Sequence, residues 1–316
     1  MSEPEEKHLA GKFGGLATFF SGPQASSLDN LDIAMVGVPY DGAVTNRPGA
    51  RHGPREMRNQ STMIRDYNQL SKIAPFKVCS IADVGDVDFR HIYDVEKAHG
   101  DIQAFYERIH AAGVIPISAG GDHSVTLPIL RAIAADRPVA MIHFDAHCDT
   151  SDGFMDSKFH HGAPFRWAVE EGLIDPKKTV QIGIRGSLGG PDTWQYSHDV
   201  GMRVVYMDEF QARGWKSVIE EASEIVGEHP VYVTFDVDGL DPAFAPGTGT
   251  PEVGGFSNAE ALAMLRAMRG MNIIGGDVVE VAPPFDQSGT TALVGATMMF
   301  EILCLTAANV HSRQSE

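Results

Sequence analysis

The sequence predicts a three-layer α/β/α fold on a parallel sheet, and three observations carry that expectation. Short β-branched runs alternate with helix-length stretches along the chain. Most of those runs are apolar on both faces, which suits strands covered by helices on both sides better than a half-exposed antiparallel sheet. No fixed-period repeat, low-complexity segment or linker divides the 316 residues. That length is long for one domain but within the range of α/β units. One domain over 1–316 is expected, with the polar stretch 1–12 as a flexible tail.

Eight strands are expected, at Ile33–Val38, Val78–Ala82, Val114–Ala119, Val139–Phe144, Val180–Ile184, Arg203–Met207, Val231–Phe235 and Ile273–Val281. Between the first two, RPGARHGP reads as an ordered loop entering a helix with Pro54 near its first turn. Further helices are expected at Val95–Ala112, Leu127–Ala135, Pro164–Glu171, Lys216–Val226, Asn258–Arg269 and Leu293–Ala308.

Composition excludes several classes. Hydrophobic residues at 43% and charged residues at 21% give an ordinary globular mix with enough apolar material for a sizeable core. A formal net charge of −17 opposes nucleic-acid binding, which rests on neutralising phosphates. Arg47, Arg51, Arg55 and Arg58 suggest an anion site, but a local role in the loop and helix that carry them is the simpler reading. The amino terminus has no secretory pattern and no apolar run approaches membrane-spanning length, so a cytoplasmic protein with no membrane partner is expected. Cys79, Cys148 and Cys304 are too scattered for a disulfide framework and read as small buried hydrophobes.

Three polar clusters each follow directly on an expected strand: GGDHS (Gly120–Ser124), DAHCD (Asp145–Asp149) and DVDGLDP (Asp236–Pro242). Ligands of open α/β sheets bind outside the carboxyl ends of strands, so the three should meet in one crevice. Strand alternation would put Asp145, His147 and Asp149 on one side, with Cys148 pointing away, and Asp236 beside Asp238. With His123 the set has four carboxylates and two imidazoles. Four Asp in a small volume need protons or cations, and two divalent ions supply +4 against −4. Taken singly, DxD is often a turn or cap and a loop His often only a hydrogen-bonding residue. Turn chemistry does not explain three such clusters placed alike. Oxygen-rich ligands with some imidazole favour manganese or a similar first-row ion over structural zinc.

With these motifs the chain resembles the ureohydrolase superfamily of arginases and agmatinases, from VGVPYDGAVTNRPGARHGPREMR (Val36–Arg58) to DVVEVAPPFD (Asp277–Asp286). The resemblance implies a three-layer sandwich with an eight-stranded parallel sheet, assembled as a homo-oligomeric trimer or hexamer. It implies two metal ions, most simply Mn2+. One would be held by His123, Asp145, Asp149 and Asp236, the other by Asp145, His147, Asp236 and Asp238. His161 in HHG would be the proton shuttle, Glu280 the guanidinium-binding carboxylate, and Thr250 in GTGTPEVGG a hydroxyl near the substrate.

The chemistry is consistent with that implication. A guanidinium is planar, charged and resonance-stabilised, so a strong nucleophile is needed, and paired metal ions generate one from water at neutral pH. Asp149 would orient the nucleophile, Glu280 would accept the substrate's N–H groups, and Asp149 or His161 would relay a proton to the departing amine. The products are an amine and urea. FGGLATF (Phe13–Phe19), TNRPGARHGPRE and APGTGTPEVGG look more like the agmatinase and guanidino-acid branch than arginase. Specificity should lie in the rim loops Thr150–His160 and Arg185–Asp192, where Lys158 and Arg185 would draw a carboxylate tail and Asp152, Asp156 and Asp192 an amine. A guanidino acid such as 4-guanidinobutyrate is the favoured substrate, ahead of agmatine. The rivals are a deacetylase-like amidohydrolase, which needs one ion, and a catalytically silent partner subunit or binding module, which should have lost ligands.

Overall fold

Apolar runs of six residues become strands because each can bury both of its faces. In a computed structural model, which describes residues 14–314, the first strand β1 (Ile33–Val38) is buried throughout. It sends Ile33 and Met35 to one hydrophobic core and Ala34, Val36 and Val38 to another on the opposite face. After it come α1 (Gly53–Ser61), α2 (Pro75–Val78), β2 (Ile81–Asp86), α3 (Val95–Ala111), β3 (Ile115–Gly120), α4 (Thr126–Ile133), β4 (Val139–Phe144), α5 (Pro164–Glu170) and β5 (Ile174–Ile184). The chain continues through α6 (Gln195–Val200), β6 (Arg203–Tyr206), α7 (Met207–Arg213), α8 (Trp215–Val226), β7 (Val231–Asp236), α9 (Asn258–Ala267), β8 (Ile273–Val279) and α10 (Thr290–Gln314). The expected tail 1–12, and Phe13 of the FGGLATF motif, lie outside the described residues.

All eight strands are parallel, in the order β2-β1-β3-β8-β7-β4-β5-β6. One core packs α1, α8, α9 and α10 on the sheet and the other packs α3, α4 and α5, which makes the expected three layers. The last two strands fall between β3 and β4, so four strands from distant parts of the chain stand side by side at the centre. Register pairs Phe144 with Phe235, Asp236 with Val279 and Ala119 with Val278. The residues just beyond these pairs therefore emerge together at the carboxyl edge.

Several boundaries differ from the expectation for identifiable reasons. Val78 ends a helical turn, and β2 starts at Ile81 and runs on through Asp83 and Asp86. Arg58 makes that acidic extension possible by donating to Asp83 at 2.8 and 2.9 Å and to Asp86 at 2.6 Å. Strand β5 begins at Ile174, six residues before Val180, because Ile174 pairs with Val139 and Thr179 with Met141, leaving Asp175–Lys178 as an irregularity between the two pairs. Strand β8 stops at Val279 because Glu280 is left-handed (φ 62°). Helices α6 and α7 were not expected from the sequence. Against the expectation that no apolar run reaches membrane-spanning length, α10 is long and apolar enough to cross a bilayer. Yet 83% of its most apolar window is buried, where it packs on β8, α1 and α9.

Three of the four arginines in and after RPGARHGP are engaged by the protein itself. Arg51 pairs with Asp41, Arg58 with Asp83 and Asp86, and Arg47 lies 3.9 Å over the Phe285 ring.

Candidate metal centre and active site

The three clusters do meet at the ends of the central strands, but not by simple strand alternation. DAHCD leaves β4 in a bend, and Asp149 turns back through a left-handed backbone (φ 52°). Glu280 has the same conformation just past β8, and such non-glycine residues carry strain of about 1–3 kcal/mol each. Asp236 ends β7, and Asp238 sits in the one-turn 3-10 helix that follows. Two glycines permit the close approach. A side chain on Gly121 would stand 2.0 Å from the Tyr40 carbonyl oxygen, and one on Gly183 (φ 111°) 2.6 Å from that of Asp145. Cys148 points away, as expected, into a small cluster with Ile184 and Val204.

Two imidazole nitrogens mark two neighbouring positions. Buried His123 Nδ1 lies 3.1 Å from Asp145 Oδ2, 2.9 Å from Asp149 Oδ2 and 3.2 Å from Asp236 Oδ2. Half-buried His147 Nδ1 lies 3.1 Å from Asp238 Oδ2 and 3.4 Å from Asp145 Oδ1. Asp145 therefore turns one oxygen to each position. All six expected ligands are assembled. Asp236 is brought to the His123 side, and its Oδ1 accepts the Asp238 N–H at 2.8 Å.

Electrostatics show what this set lacks. Burial pushes Asp236 well above the usual carboxylate range, with Asp238 and Asp145 adding to the effect, and pushes Asp238 up to about 6 with help from Asp145. Burial would lower His123, but the close approach of Asp145, Asp149 and Asp236 outweighs that and raises it well above the ordinary value. Burial likewise opposes a charge on His147, while Asp238 and Asp145 raise it. Protons thus concentrate on the nitrogens and oxygens that face one another. That is the signature of a site built for cations, and the N/O donor set suits divalent ions. His123 Nδ1 has no well-formed protein hydrogen bond despite its burial, so its lone pair is free for an ion once the proton leaves.

The expected substrate groups adjoin the cluster. Glu280 Oε1 accepts the His123 backbone N–H at 2.9 Å and faces His161 Nδ1 at 2.9 Å. Its other oxygen, Oε2, is buried with no protein donor. Thr250 Oγ1 donates to Asp238 Oδ2 at 3.2 Å, so it touches a candidate ligand. At His161, burial disfavours the charged ring, but Glu280 overrides this and raises it to about 9. Its Nε2 meets both the Thr45 N–H at 3.2 Å, which fits a neutral ring, and the Thr45 hydroxyl at 2.8 Å, which can accept from a charged one.

Of the two rim cations, Arg185 is not free for a substrate carboxylate. Its guanidinium donates to the carbonyls of Gly183, Asp238, Gly239, Leu240, Glu252 and Val253 at 2.6–3.2 Å. It stitches rim loops together. Lys158 Nζ lies 4.6 Å over the Phe159 ring and 5.1 Å over Trp167. Sequence reasoning missed Thr45, Thr234, whose Oγ1 is 2.8 Å from His123 Nε2, and the pair His143 and Gln181 against Asp145. For the last three the available signal was polar residues embedded in otherwise apolar strands, whereas Thr45 lies in the loop after β1.

Comparison with known proteins agrees with this geometry. The arginase family model matches residues 31–305. A guanidinopropionase of Pseudomonas aeruginosa is 52% identical over 297 residues, which cover 94% of this chain and 93% of that protein. A mitochondrial agmatinase of Gallus gallus is 47% identical, over 92% of this chain and 86% of that one. The solved structure of proclavaminate amidino hydrolase from Streptomyces clavuligerus superposes with a TM-score of 0.91 at 38% identity, covering 95% of this chain and all of that one.

Proposed function

The chain belongs to the arginase family, and from that premise we propose that it is a binuclear manganese ureohydrolase that splits an ω-guanidino acid into an amino acid and urea. The observation that carries the reading is Glu280 Oε2, a buried carboxylate oxygen with no protein donor, on a residue bonded to the backbone of the candidate ligand His123. A guanidinium offers the N–H donors and the positive charge that this oxygen lacks.

When bound, two divalent ions held by His123, Asp145, Asp149, Asp236, His147 and Asp238 supply a nucleophile at neutral pH by lowering the pKa of water. The protein's own groups do the rest. Glu280 binds and orients the guanidinium through Oε2 while Oε1 stays engaged with His123 and His161. Asp149, beside His123, orients the nucleophile. His161 can hold a proton at Nε2 against the Thr45 hydroxyl or release it and accept the Thr45 N–H, and it thereby relays that proton to the departing amine. Thr250 adds a hydroxyl beside Asp238.

The acid tail is supported by the guanidinopropionase at 52% identity, whereas the agmatinase at 47% identity favours agmatine as the second reading. Urea release from 3-guanidinopropionate, 4-guanidinobutyrate, agmatine and arginine, with Mn2+ and with chelator, separates them. The expected result is highest kcat/KM on a guanidino acid and none with chelator. Preference for agmatine overturns the tail assignment, and no urea from any compound overturns the activity. The proposal extends to a trimer or hexamer, as the resemblance implies, and to a cytoplasmic location, which light scattering and cell fractionation test.

A further inference from the structure

Against Asp145 lies a chain of buried polar groups that the mechanism does not use. His143 on β4 is fully buried, and its Nε2 is 2.6 Å from Asp145 Oδ2. Its Nδ1 is 3.1 Å from Gln181 Nε2 on the neighbouring strand β5, and the same Gln181 nitrogen donates to the Cys148 carbonyl at 2.6 Å. The Cys148 carbonyl can only accept, so the amide NH2 must face it, because the reverse orientation would set two acceptors 2.6 Å apart. The second N–H of that NH2 then points at His143 Nδ1, which must be an acceptor. The ring proton is left on Nε2, directed at Asp145.

His143 lies close enough to His123, Asp145 and Asp149 to be counted with them as a possible metal ligand. The hydrogen bonds argue otherwise. Ligation through Nε2 would move the ring proton to Nδ1, where it would confront the Gln181 NH2. We propose that His143 and Gln181 are positioning residues: Gln181 fixes the His143 tautomer, and His143 Nε2–H fixes the rotation of the Asp145 carboxylate so that its two oxygens face the two ion positions. The inference rests on the reading that Asp145 serves both ions. Because Asp145 turns Oδ2 toward His123 and Oδ1 toward His147, a carboxylate free to rotate would weaken both positions together.

The test is Mn2+ titration by calorimetry on metal-stripped protein, with bound metal counted at saturation and the melting temperature of the stripped protein as the fold control. His143→Leu, which removes the donor, should weaken both binding steps by about 10- to 100-fold, the usual weight of partners behind a ligand, while still taking up two ions at saturation. His143→Gln, which restores an N–H donor, should recover most of the affinity. Gln181→Met, which leaves the ring in place but frees its tautomer, should weaken both steps in the same direction. Loss of one ion in both His143 variants with Gln181→Met unaffected makes His143 a ligand and overturns the proposal. Unchanged affinity in Gln181→Met overturns it even if His143→Leu fails to fold. Stripped wild-type protein that takes up no Mn2+ sinks the metal reading itself, a result distinct from two ions bound equally well by every variant.

Discussion

Replacing Glu280 by Gln changes one charge and almost no volume. Oε1 already accepts from His123 N–H and His161 Nδ1, whereas Oε2 has no protein partner. The glutamine carbonyl must therefore take the place of Oε1, and its NH2 the place of Oε2, facing the substrate with donors where an acceptor is needed. A hydrogen bond to a charged group is worth about 1.5–3 kcal/mol, so its loss alone lowers kcat/KM by about 10- to 150-fold, and the opposed N–H groups drive the effect to the upper end of that range or beyond. The variant should keep both metals, because Glu280 is not one of the converging oxygens. A second signature follows at His161, whose ring is raised to about 9 chiefly by Glu280 working against burial. With that charge gone its pKa falls, so an activity limb that needs the protonated ring should move to lower pH. Urea release from pH 6 to 10 with metal analysis reads both effects. Undiminished turnover would remove Glu280 from the substrate site, and loss of a metal ion would make it a support for His123 instead.

Asp145→Asn should weaken both Mn2+ binding steps and Asp149→Asn only one, since Asp145 faces both imidazoles and Asp149 contacts His123; isothermal titration distinguishes them, and equal damage from the two refutes the asymmetry. His161→Asn should keep its metals and lose about 10²- to 10⁴-fold in kcat with little change in KM, and wild-type turnover would leave Asp149 as the sole proton carrier. Relative to an Asp238→Asn variant, the metal-free protein should lose stability as pH rises from about 4 to about 6, while buried His99, lowered to about 3, works in the opposite direction in both proteins. Asp238 is raised to about 6 in the fold, so its proton binds more tightly there than in the unfolded chain, and that contribution is complete below the unfolded value and vanishes above the folded one. His123 and His147, also raised, extend the decline above pH 6.5, whereas lowered Asp145 acts only below the ordinary carboxylate range. Melting curves of the stripped protein and of stripped Asp238→Asn test this, and a difference between the two that does not change with pH contradicts it.

The layers and nearly every strand were legible in the sequence because strands buried on both faces announce themselves as uninterrupted apolar runs. What escaped depends on partners far away in the chain. Asp83 and Asp86 sit in a strand only because Arg58 reaches them, and β5 extends back over DPKKT only because Ile174 and Thr179 find partners in Val139 and Met141. The site followed the same division. Asp145, Asp236 and His123 were visible as polar clusters after apolar runs, and their convergence is real. The means was partly different, since Asp149 returns through a left-handed turn that no side-chain pattern announces. His143 and Gln181 carry no local motif. Each is a polar residue in an apolar strand, and its role exists only through a neighbour that long-range pairing supplies. Arg185 shows the converse, a charge that looked available to substrate but is fully engaged by backbone carbonyls.

The strand order has a consequence for how the protein is made. Strands β3 and β4 carry His123 and the DAHCD segment, yet they are held apart by β8 and β7, which leave the ribosome last among the strands. A nascent chain through β6 already holds three of the six candidate ligands beyond β4 and a fourth beyond β3, but has a two-strand gap between them. Such a gap exposes unpaired strand edges to other chains until residues 231–279 arrive. Insertion of the final pair closes the sheet and completes the ligand set in a single event. Metal uptake is thereby deferred to the end of synthesis, and truncation between β6 and β7 leaves a chain with four of its six candidate ligands and no closed sheet to hold them.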